Sequence, residues 1–153
     1  MTQDDTLQFR WAAFDELERL DLHDLLKLRQ DVFIVEQASL YADIDGKDPE
    51  ALHCLVRSGQ TGAFFGAIRL FVDPERTSAR IGRVVIAQEA RGCGLGRSMM
   101  QAGILKAEEL APDCEIHVTA QAHLEKFYGS LGFRRASETY LQDGIPHIDM
   151  IRP

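Results

Sequence analysis

The sequence predicts a single α+β domain built on a mixed sheet, and three features predict it. Strand-like and helix-like patterns follow one another in the order β-α-β-β-β-α-β-α-β-β, which suggests a sheet with helices packed on it. Near the middle, residues 79–111 pass from an apolar strand through a glycine-rich turn into a helical pattern. The chain has 153 residues and is 45% apolar, which suits one domain (residues 1–153) with a real core.

Each element has its own reason. Leu7 to Ala12 alternates apolar and polar residues and reads as a strand. Asp15 to Leu20 reads as a helical turn. Asp21 is placed to cap a helix over Leu22 to Glu36, where Leu22, Leu25, Leu26, Arg29, Val32 and Phe33 fall at helical spacing. Gln37 to Glu50 is acidic and broken by Gly46 and Pro49, so it is a loop. Ala51 to Arg57 and Ala63 to Phe71 are strands joined by Ser58-Gly59-Gln60-Thr61-Gly62, a hairpin pattern. A turn over Val72 to Ser78 follows, then the apolar strand Ile81 to Ala87 and the helix from Leu95. In that helix Leu95, Met99 and Gly103 form one row, and Met100, Ile104 and Ala107 another. Glu115 to Ala120 is a strand, Ala122 to Leu131 a helix, and Gly132 its C-cap. Arg134 to Leu141 and His147 to Ile151 close the order as strands around the turn Gln142-Asp143-Gly144.

Composition excludes several classes. No apolar run approaches the roughly 20 residues that a membrane helix needs, so no membrane role is expected. The start Met-Thr-Gln-Asp-Asp lacks the basic and apolar regions of a secretory signal. Cys54, Cys93 and Cys114 have no metal-ligand spacing, so neither a metal nor a disulfide framework is expected, and a reducing cytoplasm is the natural compartment. Seventeen Lys and Arg against 24 Asp and Glu give a net charge of −7. That disfavours nucleic acid and attracts a cationic substrate such as an amine. Asp43-x-Asp45 invites a calcium-loop reading, which fails because Lys47 and Cys54 occupy ligand positions 5 and 12.

The glycine turn carries the sharpest chemistry. A helix N-terminus leaves backbone N–H groups unpaired and partly positive, and glycines let a phosphate come close. A dinucleotide fingerprint fails, because the sixth position counted from Gly92 or Gly94 is Arg97 or Met99. A nucleotide P-loop fails too, since no Gly-Lys-Ser/Thr occurs. Arg91-x-x-Gly94-x-Gly96 does fit, as Arg-x-x-Gly-x-Gly.

That pattern resembles the coenzyme A pyrophosphate loop of the GNAT N-acetyltransferase superfamily. A second stretch supports it: Phe127-Tyr128 with Gly132-Phe133 is similar to the family's C-terminal F-Y-x-x-x-G-F motif. Leu28-Arg29, Val32-Phe33, Val35-Glu36-Gln37, Tyr41-x-Asp43-x-Asp45-Gly46-x-Asp48, His53 and Asp143-Gly144-Ile145-Pro146-His147 further resemble the ElaA-like branch, over about residues 20 to 150. The resemblance implies a central mixed twisted sheet flanked by helices and acetyl-CoA as co-substrate. It implies an acceptor that is a small-molecule amine or a peptide or protein amine. By the family's motifs, the N–H groups of Gly92, Cys93, Gly94, Leu95, Gly96 and Arg97 would hold the pyrophosphate, with Arg91 opening the loop. The main chain of Val84, Val85 and Ile86 would pair with the pantetheine arm. Gln121, where many relatives have Asn, would contact that arm or nearby substrate. Tyr128 would protonate the departing thiolate, a role suited to a phenol of pKa about 10.

The attacking amine also needs a proton acceptor. Glu36, at the end of the first helix, is the first choice; Asp43, Asp45, His53, His117 and His147 are the others. The acidic loop over Gln37 to Glu50 either binds a cationic acceptor or simply solvates the surface. An acyl-CoA-binding regulatory module without turnover is the alternative to an enzyme, and a homoserine-lactone synthase a distant third. A homodimer is compatible with the sequence.

Overall fold

Burial along the strands sets the architecture of the protein, seen here in a computed structural model that describes residues 6–153. Eight strands form one mixed sheet in the order β1-β2-β3-β4-β5-β8-β6, with β7 also paired to β8. They are β1 (Leu7–Ala13), β2 (Leu52–Ser58), β3 (Phe64–Val72), β4 (Ser78–Ile86), β5 (Glu115–Gln121), β6 (Arg134–Arg135), β7 (Tyr140–Gln142) and β8 (Ile145–Arg152). The helices are α1 (Arg19–Arg29), α2 (Leu95–Leu110) and α3 (Glu125–Gly129). The β4–β5 pair is parallel, while β1–β2 and β5–β8 are antiparallel. The chain forms two compact units: residues up to Arg69 with Arg83–Met100, and Leu70–Gly82 with Gln101–Pro153.

In the first unit, β2 and the part of β3 up to Arg69 are buried on both faces, as their near-continuous apolar runs require. Leu25 and Val32 pack with Leu55, Ala67 and Val85, and Leu17, Leu28, Phe33 and Phe64 close around them. Gly66 marks a close approach: a Cβ there would lie 3.0 Å from both Met99 Sδ and the Val85 carbonyl oxygen. The helix over Leu22 to Glu36 is revised at both ends. It starts at Arg19 after the N-cap Glu18, and Asp21 acts from the third helical position, accepting the Glu18 N–H at 3.2 Å. It then widens into a π-helical stretch, Gln30–Glu36, in which the Gln37 N–H donates to the Val32 carbonyl five residues back, at 3.0 Å.

In the second unit, Ile116, Val118 and Ala120 of β5 and Ile148 and Met150 of β8 are buried by simple alternation. The Ala122 to Leu131 helix splits into a 3₁₀ turn, Ala122–Leu124, and the short α3. Gly132 closes it with φ of 94°. The strand expected over Arg134 to Leu141 divides into β6 and β7. Asp143 and Gly144, at φ of 52° and 79°, make the turn into β8. Positive φ at both central residues is the conformation that joins twisted antiparallel strands. Among the described residues no helix is long and apolar enough to cross a membrane.

Candidate active site

The glycine turn forms as its composition requires. Gly92 and Gly94 have φ of 80° and 82°. A Cβ at either would meet nothing within 4 Å, so the requirement for glycine is one of backbone conformation, and the loop is open on its outer side. The Gly94 carbonyl accepts the Ser98 N–H at 3.2 Å and so begins α2. The first-turn amides from Leu95 onward therefore have no carbonyl one turn earlier in the helix. Leu95 is buried and anchors the helix start, while Arg91, Gly92, Cys93, Gly94 and Arg97 are exposed. This open row of amides fits a diphosphate. The Cys93 thiol donates to the Ala90 carbonyl at 3.1 Å.

Two site residues chosen separately from the sequence are joined here. Arg91 Nη1 lies 2.8 Å from Glu36 Oε2. The same guanidinium donates from Nε and Nη2 to the Ile86 carbonyl, at 3.2 and 3.1 Å. Arg91 thus ties the end of β4 to the end of the helical segment that carries Glu36. The sequence signal was present in both motifs, but no spacing rule relates residues 36 and 91. Glu36 also lines a groove of about 420 Å³ whose apolar side is Leu28, Val32, Val35 and Phe64.

Before the loop, β4 is irregular. Its parallel register with β5 runs from Ser78↔Glu115 to Arg80↔His117. Arg83 then has φ of 48° within the strand, a conformation that costs an ordinary side chain of the order of 1 kcal/mol. The Val85 side chain is buried in the first unit's core, with Val84 and Ile86 half-buried beside it.

Arg83 belongs to an ionic network that the sequence did not disclose. Arg29, 1% exposed, donates from Nε to Asp43 Oδ2 at 2.8 Å, from Nη1 to Asp48 Oδ1 at 2.9 Å and from Nη2 to the Asp43 carbonyl at 2.9 Å. Arg69 grips both carboxylate oxygens of Asp45 at 2.9 Å and reaches Asp48 at 3.0 Å. Arg83 Nε lies 2.9 Å from Asp43 Oδ1, and its Nη2 donates to the Asp43 carbonyl at 3.2 Å. The acidic loop therefore turns three aspartates inward onto three arginines. Hydrogen bonding to Arg69 holds the Asp45 carboxyl far below its ordinary range. Burial raises Asp48, but Arg29 and Arg69 outweigh it and hold it low. His53 is fully buried beneath, its Nε2 2.9 Å from the Asp48 carbonyl. Asp43, Asp45 and His53 are thus engaged in holding the loop.

In the second unit, Tyr128 is 7% exposed and packs edge-on against Phe127 and Phe133, with centroids at 5.2 and 5.8 Å. Burial pushes its phenol up to about 12. The Phe133 N–H donates back to the Tyr128 carbonyl at 3.1 Å, so Gly132 folds the motif onto itself. Gln121 ends β5, paired in register with His147 and partly exposed. His147 Nδ1 lies 2.7 Å from the Ile145 carbonyl, and its ring stacks on Tyr140 at 6.5 Å. His117 pairs with Glu115 at 3.3 Å.

A family model described as an acetyltransferase (GNAT) domain matches residues 23–152. The crystal structure of an acyl-CoA N-acyltransferase from Pseudomonas aeruginosa is 38% identical, with a TM-score of 0.88, over 97% of this chain and 100% of that one. The crystal structure of Escherichia coli ElaA is 32% identical, with a TM-score of 0.87, over 97% and 100%. A UPF0039 protein of Synechocystis sp. is 34% identical over 145 residues, covering 95% of this chain and 94% of that protein.

Proposed function

The chain belongs to the GNAT acetyltransferase domain family, and from that premise we propose that it transfers an acetyl group from acetyl-CoA to a primary amine by direct attack in a ternary complex. Acyl-CoA-dependent acyl transfer is the activity of the family. The observation that carries the proposal is the left-handed glycine pair at Gly92 and Gly94 opening α2, in the same chain as the buried phenol of Tyr128.

Acetyl-CoA supplies an activated thioester: the amine nitrogen bonds to its carbonyl carbon, and the C–S bond breaks to leave a thiolate. The amides from Gly92 to Arg97 hold the diphosphate by charge-assisted hydrogen bonds and the helix dipole. The main chain of Val84, Val85 and Ile86 aligns the pantetheine arm as an added strand, with Gln121 contacting it or the acceptor nearby. Tyr128 keeps its proton through the neutral range, because burial raises its pKa to about 12, and donates it as negative charge gathers on sulfur. Glu36 takes the proton of the attacking amine. Its carboxylate lies 2.8 Å from Arg91, which holds it beside the loop that receives the donor. The acceptor is a small-molecule amine or a peptide or protein amine.

Isothermal calorimetry with acetyl-CoA tests the donor, and the absence of binding at high micromolar concentration overturns the reading. Thiol release across an amine and peptide library tests turnover; binding without any release favours a non-catalytic acyl-CoA-binding module. Tyr128→Phe is expected to lower kcat by about 10²-fold or more while leaving the affinity for acetyl-CoA nearly unchanged. An unchanged kcat removes Tyr128 from the acid role.

A further inference from the structure

β4 carries a strained residue between its register pairs with β5 and the segment proposed to meet the donor. Arg83 has φ of 48°, three residues beyond the Arg80↔His117 register pair and one before Val84. A left-handed arginine inside a strand persists only where its surroundings over-determine it. Those surroundings are on the inward-turned acidic loop. Arg83 Nε lies 2.9 Å from Asp43 Oδ1 as an ion pair without hydrogen-bond geometry, while Nη2 donates to the Asp43 carbonyl at 3.2 Å and to Asp45 Oδ2 at 3.4 Å. The guanidinium also lies over the Tyr41 ring, 5.6 Å from its centroid, and Tyr41 in turn donates to Asp43 at 3.0 Å. Asp43 and Asp45 are themselves fixed by Arg29 and Arg69, so the clamp is anchored on α1 and β3.

We infer that Arg83 is a positioning residue: gripped by Asp43 and Asp45, it holds β4 in the left-handed turn that presents the main chain of Val84, Val85 and Ile86 to the pantetheine arm of the donor. The inference rests on the acyl-CoA reading above. It gives the acidic loop a task in donor alignment, in place of solvation or acceptor capture.

The test compares two ligands: acetyl-CoA, and coenzyme A's nucleotide fragment without the pantetheine arm. The fragment reports on the glycine loop, and the difference between the two reports on β4. Arg83→Ala is expected to weaken acetyl-CoA by about tenfold, because the pantetheine arm loses its aligned strand, and to leave the fragment within about twofold. Arg83→Lys, which keeps the charge facing Asp43, recovers part of the loss. Equal weakening of both ligands marks a general structural defect and overturns the inference, as does unchanged acetyl-CoA affinity. A wild-type protein that binds neither ligand defeats the acyl-CoA reading itself, whereas binding with no ligand-selective effect defeats only the role of Arg83. Should Arg83→Ala fail to fold, Asp45→Asn carries the same comparison, because it removes the second carboxylate from the clamp and leaves Asp43 in place.

Discussion

Arg29 is buried and holds two buried aspartates, Asp43 and Asp48. Its three donors satisfy two carboxylates and one carbonyl at 2.8 to 2.9 Å. Removing one partner of such a group leaves charges buried and unpaired, which costs far more than the pair itself contributes. Arg29→Ala is therefore expected to destabilise the protein by about 3–5 kcal/mol, read as a shift of the urea midpoint at constant slope. Arg29→Lys is expected to fall between, since an ammonium cannot reproduce the planar fork. A loss below about 1 kcal/mol would mean that water already solvates the site. In the sequence Arg29 falls in one helical row with Leu22, Leu25, Leu26, Val32 and Phe33, which places it on the apolar side of its helix but names no partner. Its partners at 43 and 48 lie across a loop with no periodicity, and Arg69 and Arg83 sit in strands where arginine is normally turned outward. Nothing local marks Arg69 as buried or Arg83 as clamped.

At the scale of elements the sequence was more informative, because strands and helices obey local periodicities. The first five strands lie within a few residues of their expected bounds, and the Asp143-Gly144 turn has the two positive φ values that its dipeptide implies. The errors have physical sources. Asp21 is a good N-cap residue, but Glu18 already begins the helix and Asp21 is used from inside it. Apolar spacing continues through Val32 and Phe33, so periodicity alone could not reveal the change to wider turns at Gln30. The glycine loop was legible because φ constraints act on single residues. Gly94→Ala puts a side chain at φ of 82°, and the strain of about 1 kcal/mol is expected to weaken acetyl-CoA several-fold in calorimetry. Gly62→Ala is the control away from the loop: it imposes the same strain at φ of 75° in the turn between β2 and β3, where a new Cβ meets nothing within 4 Å, so affinity should hardly change. Equal effects at both positions would sink the conformational argument for Gly94.

For the molecule as a whole, stability is set against acid by buried groups whose folded pKa values lie below their unfolded ones. Burial lowers His53 below 6.5, so the unfolded chain takes up that proton first and stability falls as pH drops from about 6.5. Arg69 for Asp45, and Arg29 with Arg69 for Asp48, lower these carboxyls below 3.8, and their contribution is lost in a second window below about pH 4. The thermal midpoint is expected to fall in these two stages, and His53→Gln should remove the first. A midpoint that stays flat between about pH 7 and 5 would exclude His53 as the source. The π-helical stretch Gln30–Glu36 has a further consequence for comparing this chain with its relatives. A wide turn holds one residue more than an α-turn, and each helical residue advances about 100° around the axis. A relative with a regular helix here therefore aligns in space only across a one-residue gap. Without that gap, an alignment column pairs Glu36 with a side chain that leaves the helix in another direction, and counts of identity at that column say nothing about the carboxylate.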